Sequence, residues 1–114
     1  SDIASTLKSK NCKLFYMSVN PINSVMITKA GKGARTEAQV REFNSKIRSG
    51  LSLNYKYIDT YSVLMKKGYG TNSSYSGTDA ASDDGLHYTT KTFKRIYYYC
   101  ITYLNTGSID ASIY

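Results

Sequence analysis

Leu14-Phe15-Tyr16-Met17-Ser18-Val19 is a short, mostly apolar run closed by Asn20-Pro21. A run of this length without polar alternation fits a β-strand buried on both faces, the kind found in parallel sheets. Proline ends it because its nitrogen cannot donate to a ladder. On the N-terminal side, residues 2–10 are polar with Ile3, Ala4 and Leu7 at helical spacing, and Asn11 marks the helix stop. On the other side, residues 20–35 read as a surface loop. Gly31-Lys32-Gly33 near its end lacks the Gly-x-x-x-x-Gly-Lys-Ser/Thr spacing that cradles a phosphate.

Farther out, Thr36 and Gln39 form a capping box that opens a helix. Val40, Phe43, Ile47 and Leu51 recur at helical spacing as a core-facing stripe, and Gly50 is a stop signal. Residues 55–59 read as a second short strand, and 60–67 as a turn of helix. Helix, strand, loop, helix, strand is the rhythm of a parallel α/β sheet. Open sheets of that kind bind ligands beyond the carboxyl ends of their strands. That edge carries Asn20, Asp59 and the loop bearing His87. Residues 68–83 are rich in Gly, Ser, Thr and Asp, show no periodicity and exceed an ordinary connection, so they read as a lid or mobile loop. Thr89 then caps a final helix whose Phe93, Ile96, Tyr97, Cys100, Ile101 and Leu104 form one wide apolar face. Asn105-Thr106-Gly107 ends it, leaving 108–114 as a tail.

The chain's single histidine lies at the start of that last helix, in Asp84-Gly85-Leu86-His87. An imidazole that moves protons in nucleophilic catalysis needs a partner that fixes its tautomer and stabilises the imidazolium. A turn between Asp84 and His87 would bring the carboxylate to Nδ1 and leave Nε2 open. Gly85 suits such a turn because it tolerates positive φ. The same four residues also suit a helix-capping segment with an incidental histidine.

Asp84-Gly85-Leu86-His87-Tyr88-Thr89, running into the final helix, resembles the last block of the SGNH (GDSL-type) serine hydrolases. The stretches 15–21, 43–44 and 57–61 are also similar to that family. The resemblance spans nearly the whole chain, but only the C-terminal half of an SGNH domain. It implies a three-layer α/β/α, flavodoxin-like parallel sheet, here as its C-terminal portion over residues 1–107. It implies that His87 is the general base and Asp84 its orienting partner; Asn20, by its place at the carboxyl edge of the sheet, is a candidate substrate contact. The implied reaction is ester hydrolysis, removing acetyl groups from carbohydrate or lipid, with no cofactor or metal and at an extracellular or cell-surface location. No serine here has a Gly-Asp-Ser-Leu-like setting, and no Gly-x-Asn-Asp block is present. Ser18 and Ser82 lie nearest to the motif in the implied fold, yet neither has the family's context. The expectation is a chain inactive alone, which dimerises or associates with an N-terminal half. The alternatives are a non-catalytic module with a degenerate SGNH cleft, and a basic binder of anions or nucleic acid.

Composition narrows these choices. With 41% hydrophobic and 20% charged residues over 114 positions, the chain has the balance of one globular domain. Net charge is +7, but the basic residues are spread from Lys8 to Arg95, and no zinc spacing or RNP-like aromatic pattern accompanies them. A solvated basic surface is the simpler reading, so no nucleic-acid partner is expected. Two cysteines are too few for a disulfide framework or a metal site, and no apolar run is long enough to span a membrane. Cys100, on the apolar stripe, is expected to be a buried thiol.

Overall fold

A computed structural model describes residues 2–50, 55–70 and 84–112. Helix α1 (Asp2–Ser9) leads into strand β1 (Leu14–Met17). Helices α2 (Ser24–Lys29) and α3 (Glu37–Gly50) connect it to strand β2 (Tyr55–Ile58). Helices α4 (Thr60–Lys66) and α5 (Thr90–Thr106) follow. The two strands pair in parallel, with Leu14 opposite Tyr55 and Met17 opposite Ile58. The protein is therefore mixed α/β with a small two-stranded parallel sheet. Leu51 and residues 71–83, which hold most of the expected lid as well as Ser82, lie outside the described residues.

The helix ends follow local chemistry. Asn11, in the left-handed region at φ 58°, closes α1. The Asn11 amide donates to Lys8 O and the Cys12 amide to Leu7 O, the paired bonds of a Schellman turn. Thr36 and Gln39 form the expected capping box ahead of α3, each side-chain oxygen accepting from the other's amide. Asp59 caps α4 and Thr89 caps α5.

Two apolar clusters hold these elements. Leu64, Tyr69, Ile96 and Tyr99 pack between α4 and α5, with Ile109 and Ala111 against them. Ile22, Ile27, Val40 and Tyr61 join α2, α3 and α4. Fully burying one side chain such as Leu64 or Ile27 contributes about 1.5–3 kcal/mol, more than any exposed ion pair on this surface.

Several elements depart from expectation. Residues 20–35 are not loop throughout, because Asn23 caps a short helix by accepting from the Met26 amide, and that helix fully buries Ile27. Strand β1 is not buried on both faces: its first three residues are partly buried and Met17 is 42% exposed. A sheet of only two strands has too little surface around it to cover both faces. On α3 the buried side is Val40 and Asn44 rather than Phe43, which is 47% exposed. The helix is turned so that the Asn44 amide reaches the backbone of Val19, accepting from its N–H and donating to its C=O, both at 2.8 Å. Helix α5 likewise buries Thr92, Ile96 and Tyr99, leaving Phe93, Tyr97 and Leu104 exposed. Thr92 is drawn inward by a hydrogen bond with the Tyr69 hydroxyl. Cys100 is half-buried, and burial raises its thiol above the ordinary value. The segment expected as a tail packs, in its described part, on the α4–α5 side, where Lys67 Nζ donates to Ala111 O at 2.8 Å.

Candidate functional site

The Asp84–His87 turn is built by the carboxylate itself. Asp84 Oδ1 accepts from the amides of Leu86 at 2.8 Å and His87 at 3.0 Å, closing the turn. Its other oxygen, Oδ2, lies 2.5 Å from His87 Nδ1. One side chain thus shapes the loop with one oxygen and orients the ring with the other. Among the described residues, Asp84 is the hydrogen-bond partner of the His87 ring. The Asp84 side chain is 20% exposed and that of His87 is 73% exposed, so the ring stands in solvent on a fixed base. A carboxylate at Nδ1 places the neutral ring's proton there and leaves Nε2 as the basic nitrogen.

The turn is strapped to the rest of the fold at two points. Gly85 is buried at φ 74° against the start of α2, and its carbonyl accepts from the Asn23 amide at 3.0 Å. A Cβ on Gly85 would stand 2.5 Å from Asn23 O and 2.8 Å from Ile27 N. Tyr88, beside His87, donates its hydroxyl to the carbonyl of Pro21. Burial first, and the neighbouring Tyr69 and Tyr61 second, push the Tyr88 phenol far above its usual value, so it serves as a hydrogen-bond donor. These contacts hold His87 over Pro21 and Asn23, beyond the carboxyl end of β1.

The other residues expected at that edge have structural duties. Asn20 Oδ1 accepts from Thr60 Oγ1 at 2.6 Å. Ser18 Oγ is 3.1 Å from Thr60 Oγ1 and accepts from the Tyr61 amide at 2.8 Å. Two hydroxyls and one side-chain amide oxygen form a hydrogen-bonded chain that ties the end of β1 to the start of α4. Asn20 Oδ1 is thereby engaged within the fold. Ser18 is 1% exposed and fully engaged, so it cannot act as a nucleophile. Asp59 caps α4 through the Ser62 amide and hydroxyl and lies 3.4 Å from Arg48.

Gly85 and the Asp-x-x-His spacing were readable in the sequence as a turn. Tyr88, Asn23 and Asn44 were not, because their work depends on long-range contacts that leave no periodic signal. Among the described residues no group of three or more His, Cys, Asp or Glu side chains is arranged to hold a metal ion, and no helix is long and apolar enough to cross a membrane. Comparison with protein-family models, with curated proteins and with solved structures gives no match.

Proposed function

We propose that this chain carries the base half of a serine-hydrolase triad of the SGNH type, with His87 as general base and Asp84 as its orienting partner. The observation that supports this reading is the division of the Asp84 carboxylate between two backbone amides and His87 Nδ1, beneath a ring open to solvent. In this arrangement His87 Nε2 takes the proton of a serine hydroxyl as that oxygen attacks an ester carbonyl. The imidazolium that forms is stabilised by Asp84 and returns the proton to the leaving alcohol. The substrate class is an acetylated carbohydrate or lipid, bound across the carboxyl end of the sheet, with Asn20 as one polar contact. In this reading the serine and the oxyanion donors come from a second polypeptide segment, because no serine here has a Gly-Asp-Ser-Leu-like setting and Ser18 is locked in the core. Triad members act as a unit, so the base half without them retains little activity.

The test compares aryl-acetate hydrolysis by this chain alone and within its natural polypeptide context, each with and without His87→Ala. The chain alone should show no His87-dependent turnover. In context, turnover should fall by several orders of magnitude in His87→Ala. It should fall by about 10⁴-fold in Asp84→Asn, as in triads where the orienting carboxylate is lost. Undiminished turnover by His87→Ala in context would overturn the reading. So would fluorophosphonate labelling of a serine in this chain alone.

A further inference from the structure

At the opposite end of the sheet from His87, where Leu14 begins β1 and Lys56 lies one residue into β2, is a cavity of about 410 Å³. Its size falls within the roughly 300–1,000 Å³ of small-molecule sites. Leu14, Phe15, Tyr103 and Leu104 form its walls, and the Phe15 and Tyr103 rings meet edge to face at 6.2 Å. Lys8, Lys13 and Lys56 stand around it, all exposed, and among the described residues no acidic side chain lines it. Among the described residues, the acidic partners in ion pairs are Glu37, Glu42, Asp59 and Asp84, and none of them pairs with these lysines. The C-terminal ends of α1 and α5 also face the cavity. Each is equivalent to about half a negative charge. Three lysine charges outweigh the two, so the rim stays attractive to an anion.

We infer that this cavity binds a small amphipathic carboxylate, its hydrocarbon or aryl body against Phe15, Tyr103 and Leu104 and its head among Lys8, Lys13 and Lys56. An apolar body alone would leave the basic rim unused, and a bare anion would leave the aromatic wall wet. Apolar walls with a few convergent polar groups are the usual form of such a site, the walls supplying area and the charges fixing orientation. The site is separate from the His87 turn, which is strapped beyond the other end of β1, and it does not depend on the reaction proposed for that turn.

Cys12 lines the cavity with an exposed thiol, which gives a direct readout. The experiment measures the rate of Cys12 alkylation by iodoacetamide, resolved from Cys100 by peptide mass spectrometry. Decanoate, decanol and inorganic phosphate are each titrated in turn. Decanoate should slow Cys12 alkylation by about tenfold at ten times its dissociation constant, as one-site occupancy requires. Decanol and phosphate should protect far less. Lys13→Glu with Lys56→Glu should weaken decanoate binding by roughly tenfold or more, since like charges then face the head group. The neutral pair Lys13→Gln with Lys56→Gln should weaken it less. All four changes fall on exposed side chains, and circular dichroism checks that the fold is kept. Equal protection by decanol, equal protection by phosphate, or decanoate protection unchanged in the Glu pair would each overturn the assignment. So would the absence of decanoate protection in the unmodified chain.

Discussion

Gly85→Ala tests whether the His87 turn is fixed by packing rather than by its own hydrogen bonds alone. The backbone there sits at φ 74°, and the added Cβ would fall 2.5 Å from Asn23 O, 2.8 Å from Ile27 N and 2.9 Å from Met26 Cβ. Two of those atoms belong to the backbone at the start of α2, so no rotamer change relieves the overlap. The turn must lift away, which breaks the Asn23–Gly85 hydrogen bond. A left-handed alanine costs about 1–2 kcal/mol, the lost bond about 0.5–1.5, and the displaced packing adds to these, for a total of about 2–4 kcal/mol. Gly31→Ala is the matched control, because Gly31 has φ 67° but nothing within 4 Å of the added Cβ. It should cost only the backbone part, about 1–2 kcal/mol. Urea denaturation monitored by circular dichroism measures both, with an unchanged slope expected if the transition stays two-state. In Gly85→Ala the amide signals of Leu86 and His87 should also move. If the two variants agree within about 0.5 kcal/mol, below the usual worth of the broken bond, the strap does not exist as described.

The remaining expectations concern other parts of the molecule. Asn44→Leu keeps the side-chain volume but removes both bonds to Val19, and should destabilise the fold by about 2–3 kcal/mol with faster amide exchange at Val19. A change below about 0.5 kcal/mol would show that water replaces the amide without penalty. Burial raises the phenols of Tyr57, Tyr61, Tyr88 and Tyr99, so the fold favours their neutral forms. Their contribution is fully present below the unfolded phenol value of about 10 and is lost as pH rises through the higher folded values. Melting temperature should therefore fall steadily above about pH 10, and a flat profile to about pH 11 would contradict it. The edge of β1 away from β2, unpaired by any strand among the described residues, should pair with a strand from a second copy or another polypeptide segment, because an apolar edge invites it. Sedimentation equilibrium that stays monomeric over a wide concentration range, with fast amide exchange at Phe15 and Met17, would refute this.

Strands β1 and β2, and helices α1, α3, α4 and α5, were legible because apolar spacing and caps are local signals. The Thr36–Gln39 box and the Thr89 cap were read from residue type and offset alone. What escaped was the rotation of helices about their own axes. Phe43 and Phe93 are as apolar as any core residue, but Asn44 and Thr92 are turned inward by bonds to Val19 and Tyr69, residues distant in sequence. Hydropathy counts such polar residues as outward-facing, so it placed Phe43 and Phe93 in stripes whose Val40 and Ile96 are buried as expected. Helix α2 was hidden for a related reason: its six residues are too few for periodicity to register, and its stability comes from Asn23 and the burial of Ile27. At the candidate site, the pairing of Asp84 with His87 could be anticipated from spacing. The anchorage of that pair on Pro21 and Asn23 could not, since it joins segments more than sixty positions apart.

The Asn44 amide sets a limit on how the sheet can grow. In a parallel ladder alternate residues bond to opposite neighbours. Ser18 donates to Ile58 of β2, so Phe15, Met17 and Val19 face the other way. Val19 already has both its groups taken by Asn44, which leaves Phe15 and Met17 as the docking points for an added strand. Asn44 thus acts as an end stop that a longer incoming strand cannot pass. A strand halted there has its register chosen for it, without help from its own turn geometry. If it runs parallel to β1, whatever follows it in sequence leaves the sheet at the end where the chain reaches Pro21 and the His87 turn. The helix that steadies the end of β1 would then also determine which residues of a neighbouring segment arrive beside the imidazole.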